Sequence, residues 1–329
     1  MVRLLAVPLV AVLAFIAVGG AMSAVAGAPP LRGQMVDVGG RRLHIICEGP
    51  VGAEPTVVFE AGAFGFSADW GAVQQMTTQR GWRSCAYDRA SMGISDPGPA
   101  PRDAMTVTAD LERLLKAAGE KGPYVLVGHS MAGLYLPLFA KRYPDQVAGL
   151  VLVDATTRQA TAAGLQAGFV NRFARASRWA AIGASAGLFK PLTGRFGDRI
   201  GLPPAAKAEK GHAFASGAHN RAAYAEIKVW PTSAQQMVDA GPLDPALPVS
   251  VVTAGPDLGD RPGRKEMQAA PATNSRFGYY RNVEGAEHRT LLGLEYAGEV
   301  VEGIARVRAA PTRTQTASTA APATGSPES

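Results

Sequence analysis

Only two of the 329 residues are cysteine, Cys47 and Cys85. That excludes a disulfide-dense scaffold and any zinc or iron-sulfur centre built on clustered thiolates. Charge is sparse too, at 18% of residues, and the net +6 is not gathered into Lys/Arg blocks with interleaved aromatics. Nucleic acid therefore finds no footprint here. Neither a phosphate-cradling G-x-x-x-x-G-K-[ST] loop nor a G-x-G-x-x-G dinucleotide fingerprint occurs, and no metal-ligand cluster takes their place. No cofactor and no metal are expected.

Charge is missing altogether from residues 4–31, directly after Arg3. A largely aliphatic run behind a basic residue reads as an export signal over residues 1–28, and Ala24-Val25-Ala26 and Ala26-Gly27-Ala28 both give the small-x-small pattern of a cleavage site. Roughly 20 apolar residues also suffice to span a bilayer, so an uncleaved N-terminal membrane anchor is the alternative. Either reading exports the remainder of the chain to the periplasm or the medium. Large apolar residues are absent from the other end: residues 309–329 are mostly Ala, Pro, Thr, Ser and Gly. Such a tail cannot offset its ordering entropy, and disorder is expected there.

What the chain does have is 47% hydrophobic residues, enough for a large core. Residues 34–38 and 42–47 read as a hairpin around Gly39-Gly40, and further strands fall at 56–60, 83–87, 124–129, 149–153, 249–253 and 280–283. Helical patterns separate most of them, which argues for a mostly parallel α/β sheet covered on both faces. The apolar strand at 124–127 runs into Gly128-His129-Ser130-Met131-Ala132-Gly133, and Leu134, Leu138 and Phe139 then recur at helical spacing until Tyr143-Pro144. A strand turning this tightly into a helix tolerates only small side chains two residues either side of the serine, the positions of Gly128 and Ala132. The turn lifts the Ser130 hydroxyl above the sheet edge, where the helix's unpaired first N–H groups face it. Ala132 departs from the last glycine of the G-x-S-x-G pattern.

Three further segments accompany this elbow: Val57-Val58-Phe59-Glu60-Ala61-Gly62, Tyr87-Asp88-Arg89-Ala90-Ser91-Met92-Gly93-Ile94-Ser95, and Gly285-Ala286-Glu287-His288. With them the chain resembles the α/β-hydrolase family over residues 34–307. The resemblance implies the α/β-hydrolase fold, with a mostly parallel eight-stranded sheet and helices on both faces. About eighty residues lie between the sixth and seventh strands, too many for a plain connection. In this family such an insertion is a helical cap, which divides the chain into core 34–154, cap 155–232 and core 233–308. The cap's basic residues, among them Arg172, Arg175 and Arg178, outnumber Asp198, Glu209 and Glu226; they read as a solvated surface.

The family order of serine, acid and histidine implies Ser130 as nucleophile and His288, after the last strand, as its base. For the acid the resemblance prefers Asp257, after the seventh strand. Asp260 in the same loop and Asp154 at the end of the sixth strand stay open as alternatives. The backbone N–H groups of Ala63 and Met131 are the expected oxyanion donors. Phe64 and Phe66 are candidates for an apolar pocket or equally for core packing, and Glu60 for a structural carboxylate. Cys47 and Cys85 fall on strands that are antiparallel neighbours in this fold, so they are expected to pair.

The activity implied is that of a serine hydrolase cleaving an ester of a small to medium, largely apolar molecule through an acyl-enzyme. Amide, thioester or carbon-carbon hydrolysis, acyl transfer, perhydrolysis and a non-catalytic ligand-binding role share the same scaffold and stay open. So does the oligomeric state.

Overall fold

Eight strands form one sheet: β1 (Gln34–Asp37), β2 (Arg42–Glu48), β3 (Val57–Glu60), β4 (Ser84–Tyr87), β5 (Tyr124–His129), β6 (Val147–Val153), β7 (Val249–Ala254) and β8 (Tyr279–Val283). The structure is a computed structural model and describes residues 2–164, 166–255 and 263–311. The spatial order is β1-β2-β4-β3-β5-β6-β7-β8. Only β2 runs against its neighbours; β3 to β8 are parallel. The expected mostly parallel eight-stranded α/β sheet is therefore present.

Among the described residues twelve α-helices accompany it. In chain order they are α1 (Val2–Ala26), α2 (Gly71–Gln79), α3 (Ala104–Ala117), α4 (Leu136–Arg142), α5 (Arg158–Ala162), α6 (Ala167–Ser185), α7 (Thr193–Phe196), α8 (Pro204–Ala215), α9 (Gly217–Lys228), α10 (Trp230–Asp239), α11 (Arg264–Thr273) and α12 (Ala297–Ala309). The central strands are apolar along their whole length because both faces are covered. Val57, Phe59, Val125, Val127, Val151 and Val252 pack under α2 and α12. Their sequence neighbours Val58, Leu126, Leu150, Leu152 and Val251 face α3 and α4 instead. That alternation is the period-2 pleat distributing one strand between two cores.

The segment between β6 and β7 holds helices α5 to α10 and is called the cap segment; the last of these helices ends at Asp239. The elbow helix differs from the sequence reading: a 3-10 turn spans Ser130–Leu134 and the α-helix starts only at Leu136. Pro137 is the reason, since it lacks the N–H for a continuous ladder and fits the first turn of a new helix.

Cys47 and Cys85 face each other in the β2–β4 register and are joined as a disulfide. Residues 2–26 form the single helix α1, which packs beside the 3-10 segment Lys190–Leu192. Among the described residues no helix is long and apolar enough to cross a membrane. Asp257, Asp260 and residues 312–329 lie outside the described residues.

Candidate active site

The parallel strands β5 and β6 end side by side, with His129 opposite Val153, and both chains break sharply there. Ser130 takes φ 56° and Asp154 φ 41°. Left-handed backbone is strained in a residue with a Cβ and persists only where the surroundings over-determine it. The crowding supplies that determination. A Cβ on Gly128 would come within 2.9 Å of the Ala132 Cβ, and one on Gly62 within 2.9 Å of the Ser130 Cβ. The Ser130 carbonyl accepts the Thr156 N–H at 2.9 Å, tying the elbow to the chain just past β6.

His288, on the loop after β8, lies between these two strained residues. Its Nε2 is 3.0 Å from Ser130 Oγ and its Nδ1 is 2.5 Å from Asp154 Oδ2. A serine hydroxyl, an imidazole and a carboxylate thus form one chain. The imidazole can accept the hydroxyl proton at Nε2 while the carboxylate holds the Nδ1–H. The His288 side chain is 52% exposed and Asp154 only 13%, so the reacting end is open to a ligand while the orienting end is covered. Of the acids named from the sequence, Asp154 is the one that the described residues place on His288.

His129 has a part that the sequence reading missed. Its Nε2 reaches the His288 carbonyl at 2.8 Å, and the two rings lie 4.4 Å apart. Burial, with His288 as the second cause, lowers its pKa to about 3. It is therefore neutral at physiological pH, donating from Nε2 to that carbonyl.

The loop after β3 is held from behind. Arg89 is fully buried and donates to the Ala61 carbonyl from Nη1 at 2.7 Å and to the Gly62 carbonyl from Nη2 at 2.9 Å. In a trans peptide the N–H points opposite the C=O, so fixing the Gly62 carbonyl aims the Ala63 N–H away from Arg89. That N–H makes no hydrogen bond among the described residues. Met131, second in the 3-10 turn, keeps one of the donors that a helical start leaves unpaired.

Arg89 itself is neutralised on two sides. Glu60 accepts from Nη1 at 2.6 Å, and Glu226 on α9 accepts from Nε at 2.9 Å and Nη2 at 2.8 Å. Glu60 also takes a short hydrogen bond from Tyr87, in keeping with a structural carboxylate. Burial raises the Glu60 pKa despite Arg89. Two more cap residues grip the same loop: Lys210 Nζ donates to the Phe64 carbonyl at 3.0 Å, and His219 Nε2 approaches it at 3.2 Å. Because His219 Nδ1 accepts the Gly93 N–H at 3.0 Å, its Nε2 carries the proton. Burial, then Lys210, lowers this imidazole to about 4.

The two aromatics named for a pocket separate. Phe66 is buried in the core beneath His219, because Asp69 N–H bonds back to its carbonyl and turns the segment inward. Phe64 faces the cap, edge-on to Phe173 at 6.0 Å. Around it Ala63, Met131, Val170, Phe173 and Trp230 form an apolar cluster between elbow and cap.

The family model described as "Alpha/beta hydrolase family" matches residues 57–303, and the chain belongs to that family. The mouse sn-1-specific diacylglycerol lipase ABHD11 is 39% identical over 102 residues, 30% of this chain and 32% of that protein. Other curated relatives are matched over 14% to 39% of their own length, so the chain spans well under half of each. Among solved structures, the epoxide hydrolase VrEH1 from Vigna radiata superposes with a TM-score of 0.63 at 17% identity, covering 83% of this chain and 97% of that one. A thermophilic esterase from Thermogutta terrifontis gives 0.57 at 19% identity, covering 84% and 99%. At such identities the likeness is one of fold.

Proposed function

We propose that this hydrolase cleaves a carboxylic ester of a small to medium, largely apolar molecule through an acyl-enzyme on Ser130. The observation that carries the reading is the chain Ser130 Oγ, His288, Asp154 at 3.0 and 2.5 Å. Ser130 attacks the ester carbonyl carbon as His288 Nε2 takes its proton, and Asp154 stabilises the imidazolium. The carbonyl oxygen, now an oxyanion, faces the N–H groups of Ala63 and Met131. Collapse expels the alcohol, protonated by His288. Water, deprotonated by the same imidazole, then attacks the acyl-serine and releases the acid. The apolar cluster around Phe64 and Phe173 favours an apolar acyl or alcohol group.

The epoxide hydrolases among the structural neighbours do not alter this reading. Opening an epoxide through an alkyl-ester intermediate requires a carboxylate nucleophile, and the elbow carries a serine hydroxyl. The test is hydrolysis of p-nitrophenyl esters of increasing chain length. Turnover is expected for the wild type and, for Ser130→Ala, none above the solution rate. Equal turnover by the variant, or folded protein inert on the whole series, contradicts the proposal. The export reading for residues 1–28 belongs to the same proposal and is checked by the N-terminal mass of the mature chain.

A further inference from the structure

Helix α6 contains three arginines and no acidic residue in 19 positions. Val170, Ser177, Ala181 and Ala184 bury its inner face, while Phe169, Trp179 and Ile182 on the outside are 50%, 70% and 48% exposed. Arg172, Arg175, Trp179 and Ile182 follow one another at i, i+3, i+7 and i+10 and so line one stripe of that outer surface. None of Arg172, Arg175 and Arg178 is in an ion pair among the described residues. A helix facing plain water alternates charges of both signs and hides its tryptophan; this one does neither.

We propose that the outer face of α6 docks on an anionic lipid bilayer. Charge complementarity selects that partner. Between residues 155 and 232 eleven Lys and Arg stand against three Asp and Glu. Two of those acids are already neutralised, Glu226 by Arg89 and Glu209 by Arg32. Guanidinium groups pair with lipid phosphates while their stems cover apolar surface, and an indole ring settles at headgroup level. Interleaved with Ile182 and Phe169, they make a face that fits the headgroup boundary rather than bulk water. Helix α1 approaches the C-terminal end of α6, its Ile16 beside Gly187. Nucleic acid is disfavoured because a convex helix interrupted by aliphatic side chains offers neither a groove nor base-edge donors.

The geometry also links this face to the loop beside Ser130. Exposed Phe169 stacks on Phe173 at 5.4 Å, and Phe173 meets Phe64 at 6.0 Å. A docked α6 would open that aromatic track toward the lipid interface. This last step rests on the proposed esterase activity; the docking itself does not.

The experiment is co-sedimentation of the full chain with phosphatidylcholine vesicles, with and without phosphatidylglycerol, alongside Trp179 fluorescence taken as the difference from Trp179→Phe. Binding is expected with phosphatidylglycerol, falling as salt is raised, together with a blue shift of Trp179. Replacing Arg172, Arg175 and Arg178 by Gln is expected to weaken binding about a hundredfold, with unchanged circular dichroism because all three are exposed. Ser130→Ala is expected to bind like the wild type, which separates docking from chemistry. Undiminished binding by the triple variant would mean that apolar α1 alone holds the vesicle, and would overturn the proposal. So would an unshifted Trp179.

Discussion

His129, the residue before the nucleophile, donates a 2.8 Å hydrogen bond to the main-chain carbonyl of His288, so one histidine holds the backbone of the other. Replacing His129 by Phe keeps a ring and removes the donor. The expected loss is roughly fivefold in kcat/KM, from one hydrogen bond of about 1 kcal/mol. Since burial keeps the His129 pKa at about 3, the acid limb of the kcat/KM profile above pH 5 is expected not to move in the variant. A displaced limb would assign His129 a titrating role.

Asp154 and Asp257 make opposite predictions. On the proposed mechanism Asp154→Asn leaves His288 without its charged partner and lowers kcat by about three to four orders of magnitude. Asp257→Asn is expected to change it less than threefold. Steady-state kinetics on one p-nitrophenyl ester decides between them.

Two buried imidazoles link stability to pH. His129 and His219 have folded-state pKa values lowered to about 3 and about 4, and both return to roughly 6.5 when unfolded. Between those values the unfolded chain binds more protons, so their contribution is complete above about pH 6.5 and is lost as pH falls toward 4. His44 opposes this: Asp88 raises its pKa against burial, and its contribution fades as pH rises through the folded value. Urea denaturation from pH 7 to 4.5 is expected to show falling stability, with a slope shallower by up to about 1.4 kcal/mol per pH unit in His219→Gln.

Arg89→Lys keeps a positive charge but cannot serve two carbonyls and two carboxylates at once. With the Gly62 carbonyl released, the Ala63 N–H loses its fixed aim. The expected result is a kcat about tenfold lower with KM little changed, because an oxyanion donor acts in the transition state. A change confined to KM would place Arg89 in substrate binding instead.

The disulfide closes a loop of 38 residues between Cys47 and Cys85. In the chain-entropy account that constraint contributes about 4 kcal/mol. Replacing both cysteines by Ala is expected to lower unfolding free energy by that order, measured by urea denaturation, and to make stability insensitive to reductant.

Legibility in the sequence followed the locality of each constraint. Gly128, Ser130 and the helix after them are specified within a few residues, so the elbow could be read; the cysteine pair was legible only through the family resemblance, which makes their strands antiparallel neighbours, and the register then sets them opposite. The acid was harder. β6 and β7 are adjacent parallel strands whose ends open on the same space, and the left-handed turn at Asp154, which no composition signals, brings its carboxylate to His288. Arg89 stood in a quoted motif without a role, because its partners Gly62 and Glu226 are brought together only by cap and core. Which of Phe64 and Phe66 packs into the core was not legible for a similar reason: the loop carrying Phe66 curls inward on a backbone bond that the residue types do not announce.

The most direct measurement is the intact mass of the folded protein after reaction with a fluorophosphonate, followed by mapping of the modified peptide. One adduct is expected on Ser130, absent in Ser130→Ala and strongly slowed in His288→Ala. An adduct on another serine, or no adduct on folded wild-type protein, would contradict it.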